Sequence, residues 1–145
     1  MPRRRIDQVI AQQQVLHLPP TATVREAARQ MMARRVASVV ISATDGELDG
    51  IFTERDLLTR VVVPGLNPDL TTLGDVMTDR VLTVTPAASM RDALLLMDTH
   101  NVRHMPVVDG RKVLGVVSIR DFLGGEMAEL EYAHEVEIQL AEHMM

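Results

Sequence analysis

The chain has 145 residues, of which 46% are apolar and 24% charged, and its formal net charge is -5. This balance is typical of one soluble globular domain and excludes an extended disordered protein. The negative charge argues against nucleic-acid binding, and no apolar run reaches the ~18 residues that a membrane span needs. The sequence has no cysteine, which excludes disulfides and thiolate metal sites and favours a reducing, cytoplasmic location.

The first predicted elements are a strand and an amphipathic helix. A short apolar run, Val15 to Leu18, ends at a proline and predicts a strand. Thr23 and Glu26 form a capping-box pattern that predicts a helix start. Apolar residues then recur at helical spacing and are predicted to be core residues: Val24, Ala27, Ala28, Met31 and Met32.

A hairpin and a second helix are predicted next. The β-branched residues at 37–42 predict a strand, and the Asp45-Gly46 pair that follows is a strong hairpin signal. The returning strand ends in Ile51-Phe52, and a helix is predicted to begin at Thr53. The first half therefore reads strand, helix, strand, strand, helix.

The second half predicts the same order after a linker at Val63–Thr72, which contains Pro64-Gly65 and Asn67-Pro68. Its predicted elements are a strand at Val81–Val84, a helix opened by Ser89 and Asp92, strands at 104–108 and 116–117 around Asp109-Gly110, and a helix beginning at Ser118. A last amphipathic helix is predicted from Glu126 to Met145, with an apolar stripe along one face.

The two halves are copies of one unit. A shift of 66 positions lays residues 15–41 over 81–107, and a shift of 65 lays 50–58 over 115–123. A third of the aligned positions carry the same residue. The predicted domains are therefore a first unit at 1–62, a linker at 63–72, a second unit at 73–125 and a helical tail at 126–145.

The most distinctive repeated stretch is G-I-F-T-E-R-D (Gly50–Asp56), which recurs as G-V-V-S-I-R-D (Gly115–Asp121). A hydroxyl followed three residues later by an acid can be a plain helix cap. The same pair can be a ligand site, because a carboxylate can accept from both hydroxyls of a ribose and a helix start favours an anion. The repetition, with aspartate in both copies, favours a site.

These features together resemble a tandem pair of CBS domains, the module first described in cystathionine beta-synthase. The resemblance rests on the repeat, on D-V-M-T-x-x-V (Asp75–Val81), on V-R-H-M-P-V-V-D (Val102–Asp109), and on both glycine-to-aspartate stretches. It implies an α+β fold of two βαββα units with pseudo-two-fold symmetry, followed here by a C-terminal helix. It also implies adenosine ligands in one or both clefts between the units, and disc-like homodimers.

The resemblance also implies roles for individual residues. Thr53 and Ser118 would meet a phosphate, Asp56 and Asp121 a ribose, with Arg55 and Arg120 as cations beside them. Arg103 and His104 would donate to phosphates, although the first unit has Ala37-Ser38 at the equivalent positions. That difference makes equal occupancy of the two clefts doubtful. The adenine is expected against a set of strand residues: His17, Ile41, Thr83, Pro106 and Val107.

The function expected from this resemblance is a regulatory sensor. The ligand would be AMP, ADP or ATP, with NADH or S-adenosylmethionine as further possibilities, and the sensor would act on an unidentified partner protein. A ligand-independent dimerisation scaffold is the alternative. An enzyme acting on the nucleotide is not favoured, because no nucleophile, base and orienting group come together in the sequence. The histidines lack metal-ligand spacing, so no metal site is predicted.

Overall fold

Each half of the chain builds a small sheet with helices beside it, in a computed structural model that describes residues 4–122 and 134–142. The first half contains α1 (Ile6–Ile10), β1 (His17–Leu18), α2 (Val24–Arg34), β2 (Ser38–Ile41), β3 (Gly50–Thr53) and α3 (Glu54–Asp56), which continues as a π-helix over Leu57–Val62. The second contains α4 (Leu73–Val76), α5 (Met90–His100), β4 (His104–Asp109), β5 (Lys112–Ser118) and a 3-10 helix, Ile119–Asp121. The predicted α+β class is confirmed.

The sheet of the first half has the order β1-β2-β3. β1 runs parallel to β2, and β2 runs antiparallel to β3 with Val40 opposite Ile51. The parallel pair is held by bonds from Val40 N to Leu16 O at 2.9 Å and from Ser42 N to Leu18 O at 3.0 Å. The predicted hairpin is therefore present, and its strands lie at the centre and one edge of the sheet.

The sheet of the second half lacks the third strand that the repeat predicts. β4 and β5 pair antiparallel, but the predicted strand at Val81–Val84 is reduced to one bridge between Val84 and Val107. Pro106 explains the difference, because it occupies the position of Val40 and has no N–H to donate to the incoming segment. Prediction of a full strand here was wrong.

Helices α2 and α5 begin at the predicted caps. Thr23 Oγ1 accepts from Glu26 N at 3.2 Å. Ser89 and Asp92 form the reciprocal box, with Asp92 N donating to Ser89 Oγ at 3.1 Å and Ser89 N donating to Asp92 Oδ2 at 3.4 Å. The capping pattern therefore located both helix starts correctly.

The apolar face of α2 is narrower than predicted. Val24, Ala27 and Met31 are buried, Ala28 is half-buried, and Met32 is 76% exposed. The buried positions follow a single stripe with spacings of three and four residues, and Met32 lies beyond its edge. The prediction that Met32 is a core residue was wrong.

The short helices α1 and α4 are exchanged between the two hydrophobic cores. Ile6 and Ile10 of α1 are buried in the core of the second unit, although α1 precedes the first unit in the chain. Leu73 and Val76 of α4 are buried in the core of the first unit. We call α1 and α4 the lead helices, because each precedes one unit and packs on the other.

Backbone hydrogen bonds hold the lead helices in these positions. Ile6 N donates to Ala88 O at 3.0 Å beside α1. In the equivalent place beside α4, Leu73 N donates to Ala22 O at 2.9 Å. The exchange is thus part of the hydrogen-bonded framework and not only a contact between side chains.

The loops between the hairpin strands also join the two units. Leu48 N donates to Arg111 O at 2.9 Å, and Val113 N donates to Gly46 O at 2.8 Å. The Arg111 guanidinium lies 3.3 Å from a carboxylate oxygen of Glu47. The two hairpins therefore meet end to end.

Helix is also found in part of the predicted C-terminal segment, at residues 134–142. The rest of that prediction lies outside the described residues. The helix predicted to begin at Ser118 is only a 3-10 turn, Ile119–Asp121, because the backbone at Phe122 is extended. His134 Nε2 is 2.8 Å from Asp98 Oδ2 on α5, and this hydrogen bond raises the pKa of His134. None of the helices in the described part of the chain has both the length and the apolar character to cross a bilayer.

Candidate ligand clefts between the two units

Two clefts lie between the units, and each contains one of the two repeated aspartates. The larger, which we call the Asp56 cleft, has a volume of about 520 Å³. It is lined by Ile51, Thr53, Glu54, Arg55, Asp56, Thr78, Arg80, Val81, Leu82, His100, Asn101, Val102, Arg103 and His104. Three arginines from three different segments therefore face one cavity.

The second cleft, which we call the Asp121 cleft, has a volume of about 250 Å³. It is lined by Gln13, Gln14, Val15, Leu16, Arg35, Val36, Ala37, Ser38, Val40, His104, Val116, Ser118, Arg120 and Asp121. Ligand pockets in proteins typically have volumes of ~300 to 1,000 Å³. Only the Asp56 cleft falls in that range.

Both clefts are assembled in the same way. The 66-residue shift carries Val15-Leu16 onto Val81-Leu82 and carries 35–38 onto 101–104, while the 65-residue shift relates Asp56 to Asp121. The glycine-to-aspartate stretch of one unit thus faces the strand entry and the helix end of the other unit. Each cleft needs both units, as the pseudo-two-fold arrangement predicts.

The Thr53–Asp56 pair is a reciprocal cap at the mouth of its cleft. Thr53 N donates to Asp56 Oδ2 at 3.0 Å, and Asp56 N donates to Thr53 Oγ1 at 3.3 Å. The other carboxylate oxygen of Asp56, Oδ1, lies 3.6 Å from Arg60 Nε, and the side chain remains 14% exposed. Asp56 is therefore a cap and also presents a carboxylate to the cleft.

The Ser118–Asp121 pair repeats this geometry. Ser118 N donates to Asp121 Oδ2 at 2.7 Å, and the serine hydroxyl lies 3.4 Å from the same oxygen. Arg4 donates from Nη2 to the backbone carbonyl of Asp121 at 2.8 Å. Arg4, shortly before α1, therefore lies against the Asp121 end of the molecule.

The backbone donors at the two motif helices are largely used within the protein. Glu54 N donates to Ala37 O at 3.1 Å, and Ile119 N donates to Arg103 O at 3.0 Å. Because Asp56 N is bonded to Thr53, an anion in the Asp56 cleft meets cationic side chains more than free N–H groups. The sequence argument from free donors at a helix start therefore needs correction.

Arg103 and His104 enter the Asp56 cleft at the start of β4, and His104 also lines the Asp121 cleft. Burial lowers the pKa of His104, the nearby Glu54 partly opposes this effect, and Arg120 adds to it. His104 is half-buried between charges of both signs. It is placed where a phosphate would favour its protonated form.

The residues expected to line an adenine are not among those that line either cleft. Ile41 and Val107 are fully buried in the two cores, and Pro106 is buried in β4. His17 Nδ1 lies 3.4 Å from Ser42 Oγ, and Thr83 is half-buried.

Strand geometry explains this difference. Successive side chains on a strand face opposite sides. Ser38 and Val40 line the Asp121 cleft, so Ile41 faces the core. At the strand entries, Val15-Leu16 and Val81-Leu82 line the clefts, one position earlier than expected.

The glycines that begin the repeated stretches accommodate the lead segments. A Cβ at Gly50 would lie 2.5 Å from Met77 Sδ and 2.9 Å from Thr78 O. A Cβ at Gly115 would lie 2.7 Å from Ile10 Cβ. The close approach expected at these glycines is therefore made by the chain around the lead helices.

Sequence reasoning missed several cleft residues, including Arg80, Arg35 and Asn101. Arg35 and Asn101 follow α2 and α5 with left-handed φ values of 56° and 53°. A residue of this kind is common just beyond a helix end, so an exact helix boundary would have marked both positions. Helix boundaries read from sequence are uncertain by one or two residues, so the sequence did not identify Arg35 and Asn101 as helix-end positions.

No group of three or more histidine, cysteine, aspartate or glutamate side chains that could hold a metal ion occurs among residues 4–122 and 134–142. His104 stands near carboxylates and arginines, and His134 pairs with Asp98, with Glu137 nearby. The clefts thus present arginine, histidine, hydroxyl and single carboxylate groups, a set suited to a phosphorylated sugar.

Comparisons of the sequence and of the structure with known proteins agree on one family. The sequence profile described as "CBS domain" matches residues 6–63 and again residues 73–126. Among solved structures, the CBS domain protein PAE2072 from Pyrobaculum aerophilum complexed with AMP is similar, with a TM-score of 0.76 and 28% identity. The match covers 88% of this chain and 98% of that one.

Curated relatives are similar over most of this chain but are longer. A CBS domain-containing protein of Arabidopsis thaliana, CBSCBSPB3, is 36% identical over 83% of this chain and 22% of its own length. An uncharacterized protein of Methanopyrus kandleri is 37% identical over 79% of this chain and 59% of its own length. The chain thus spans at most about three fifths of these two relatives.

Proposed function

This chain belongs to the CBS-domain family as a tandem pair, and we propose that it is a regulatory sensor that binds an adenine nucleotide in the Asp56 cleft. One observation carries the proposal: the cap carboxylate of Asp56 shares a cavity of about 520 Å³ with Arg55, Arg80 and Arg103. A carboxylate that can accept from ribose hydroxyls thus stands beside cations that can meet phosphates.

The cleft chemistry supports a ligand with a ribose and at least one phosphate. Arginine can donate two parallel hydrogen bonds to the oxygens of one phosphate, which a point charge cannot do. Arg55, Arg80 and Arg103 are therefore well suited to bind a phosphate. Val81 and Leu82 offer an apolar wall to a base. The similar Pyrobaculum protein, solved with AMP, favours an adenine nucleotide of this kind for the present chain.

The proposed role is regulatory and not catalytic. The hydroxyls of Thr53 and Ser118 each lie within hydrogen-bonding distance of their own aspartate instead of a histidine that could act as a base. Occupancy of the cleft would change the relation between the units, because both units line it. A ligand shifts such an equilibrium only through different affinities for the two arrangements, and a partner protein would read the difference.

The sensor is also proposed to be a homodimer in a reducing compartment such as the cytoplasm. Large apolar side chains stay exposed along the π-helix and the linker: Leu58, Val62, Val63, Leu66 and Leu70. We call these five residues the 58–70 strip. Its exposure also favours a second candidate function, a scaffold that dimerises without any ligand.

The test replaces Asp56 and compares the variant with a cap that faces no cleft. Asp56→Ala is expected to weaken AMP binding about ten- to hundredfold, as loss of a charge-assisted contact does. It should also cost roughly 0.5 to 2 kcal/mol of stability through the lost cap. Asp92→Ala removes a reciprocal cap of the same design on α5 and should leave AMP affinity unchanged.

Calorimetric titration with AMP and thermal unfolding measure the two quantities separately. Equal AMP affinity in wild type and Asp56→Ala would reject the sensor in this cleft. Failure of AMP, ADP, ATP, NADH and S-adenosylmethionine to bind or to raise the melting temperature, with an intact dimer, would favour the scaffold instead.

A further inference from the structure

A glutamine of the same chain occupies the polar edge of β5 in the Asp121 cleft. Gln13 donates from Nε2 to the Val116 carbonyl oxygen at 2.9 Å and accepts at Oε1 from Val116 N at 2.9 Å. Both residues line the cleft. One carboxamide therefore satisfies both backbone groups of one strand residue, and it does so inside the cavity.

The equivalent edge in the Asp56 cleft is closed by main chain. Ile51 corresponds to Val116, and its N–H and C=O pair with the backbone of Thr78 at 3.0 and 2.9 Å. That bridge opens only if the segment after α4 moves. Gln13 is exposed at the surface, so its side chain can leave Val116 by rotation about its own bonds.

The carboxamide of Gln13 has the same pattern of donor and acceptor as one edge of adenine. Adenine carries an amino donor beside a ring-nitrogen acceptor, which is the pattern that glutamine and asparagine side chains read in two-pronged contacts. The backbone of Val116 offers the complementary N–H and C=O. An adenine could thus make the two bonds that Gln13 makes, but only in its place.

We propose that Gln13 is an intramolecular competitor for the base in the Asp121 cleft and limits this chain to one nucleotide. The inference rests on the proposed function of the Asp56 cleft and assigns the opposite behaviour to its pseudo-symmetric counterpart. The volumes agree with it, since the Asp121 cleft is about 250 Å³ and the Asp56 cleft about 520 Å³. The strand edge is thus closed by the Thr78 backbone in the Asp56 cleft, where a base would lie against Val81 and Leu82, and by a rotatable side chain in the Asp121 cleft.

Calorimetric titration with AMP tests the proposal by stoichiometry. Wild type is expected to bind one AMP per chain and Gln13→Ala two, with affinity at the second site raised about tenfold or more, because binding no longer breaks two hydrogen bonds. Gln14→Ala is the matched control, since Gln14 lines the same cleft while Gln13 makes the Val116 bonds. This control is expected to bind one.

A second variant and a second measurement distinguish the loss of the Gln13 hydrogen bonds from a general loss of stability. Gln13→Met keeps a side chain of similar length but has neither the amide donor for the Val116 carbonyl nor the amide acceptor for Val116 N, so it should also admit a second AMP. The amide resonance of Val116 in a ¹⁵N spectrum should then shift with the second equivalent of AMP in both Gln13 variants, and should not change beyond the first equivalent in wild type.

The outcomes separate this proposal from the proposed function. If wild type binds one AMP and both Gln13 variants also bind one, the competitor role is overturned and the sensor stands. Two AMP per wild-type chain would overturn the competitor role as well. If wild type binds none, the sensor fails. The competitor role would survive that result only if the Gln13 variants gain one AMP and shift Val116.

Discussion

Three reciprocal caps of the same design occur in the described part of the chain, and their positions decide what each can do. Thr53–Asp56, Ser118–Asp121 and Ser89–Asp92 all link a hydroxyl residue to an aspartate three positions later. Only the first two line a cleft. A cap of this kind is therefore ordinary at the level of a residue, and its placement against the other unit makes it a candidate site.

His104 is the residue whose protonation should affect folding. Burial lowers its pKa in the folded protein. As the pH falls, the unfolded chain therefore binds a proton near pH 6.5, whereas the folded chain binds it only at a lower pH. The free energy of unfolding should therefore fall as pH drops below about 6.5, by at most about 1.4 kcal/mol per pH unit from this group. Above pH 6.5 this contribution is constant.

Denaturant unfolding of wild type and His104→Gln between pH 7.5 and 5 measures this effect. The difference between the two proteins isolates His104 from His17, whose pKa is also lowered by burial, and from His134, whose pKa is raised. The gap in stability should change as pH falls below about 6.5. A gap that is constant across the whole range would contradict a lowered pKa of His104 in the folded protein.

At the scale of elements, the exchanged lead helices predict that neither unit folds alone. A fragment of residues 1–66 lacks Leu73 and Val76 of α4, and a fragment of 67–145 lacks Ile6 and Ile10 of α1. Losing large buried side chains costs about 2 to 5 kcal/mol each, against a total stability of ~5 to 15 kcal/mol. Each fragment should be largely unfolded alone, and an equimolar mixture should regain helix.

Circular dichroism of the separate and mixed fragments provides the measurement. Ile6→Ala in the 1–66 fragment serves as the control. It removes a fully buried side chain of α1 and should therefore weaken reassembly with the 67–145 fragment. Cooperative unfolding of the isolated 1–66 fragment would show that the first unit does not depend on α4.

The elements themselves were largely predictable, because caps and periodicity are local signals. The starts of α2 and α5 and both hairpins follow from residues next to one another in sequence. The exchange of α1 and α4 was not predictable, since it depends on which of two similar cores each helix reaches. The absence of a full strand before α5 could be predicted only by comparing Pro106 with its counterpart Val40 in the first unit.

The grouping of polar residues in one cleft could be predicted from the sequence, whereas the apolar lining of the clefts could not. Thr53, Asp56, Arg103 and His104 do come together in one cleft, because the repeat ties each to a fixed place in its unit. The lining of the base depends on which way alternate strand residues face, and an error of one position moves a side chain into the core. Ile41 illustrates this error.

At the scale of the whole molecule, the 58–70 strip predicts a dimer. Leu70 is 80% exposed and Val62 60% exposed, and exposed apolar clusters of this kind mark interaction surfaces. Val62→Asp should convert the dimer to monomer, because a charge would be buried without a partner in the interface. Light scattering on a sizing column measures the mass in solution.

Leu95→Asp is the matched control for this prediction. Leu95 is a partly exposed leucine on α5, outside the strip, and its replacement should leave the mass unchanged. A wild-type chain that elutes as a monomer at high concentration would contradict the assignment of the strip.

The exchanged lead helices also bear on how a protein like this one can arise. If a single unit existed as a separate chain, its lead helix would have no core of its own to pack on. Two copies would then need to exchange their lead helices. Joining those copies through a segment such as 63–72 turns a swapped pair into one chain. Once joined, the copies can diverge, as Ala37-Ser38 and Arg103-His104 have done. Gene duplication with fusion, starting from an intertwined pair, accounts for both the symmetry and its loss.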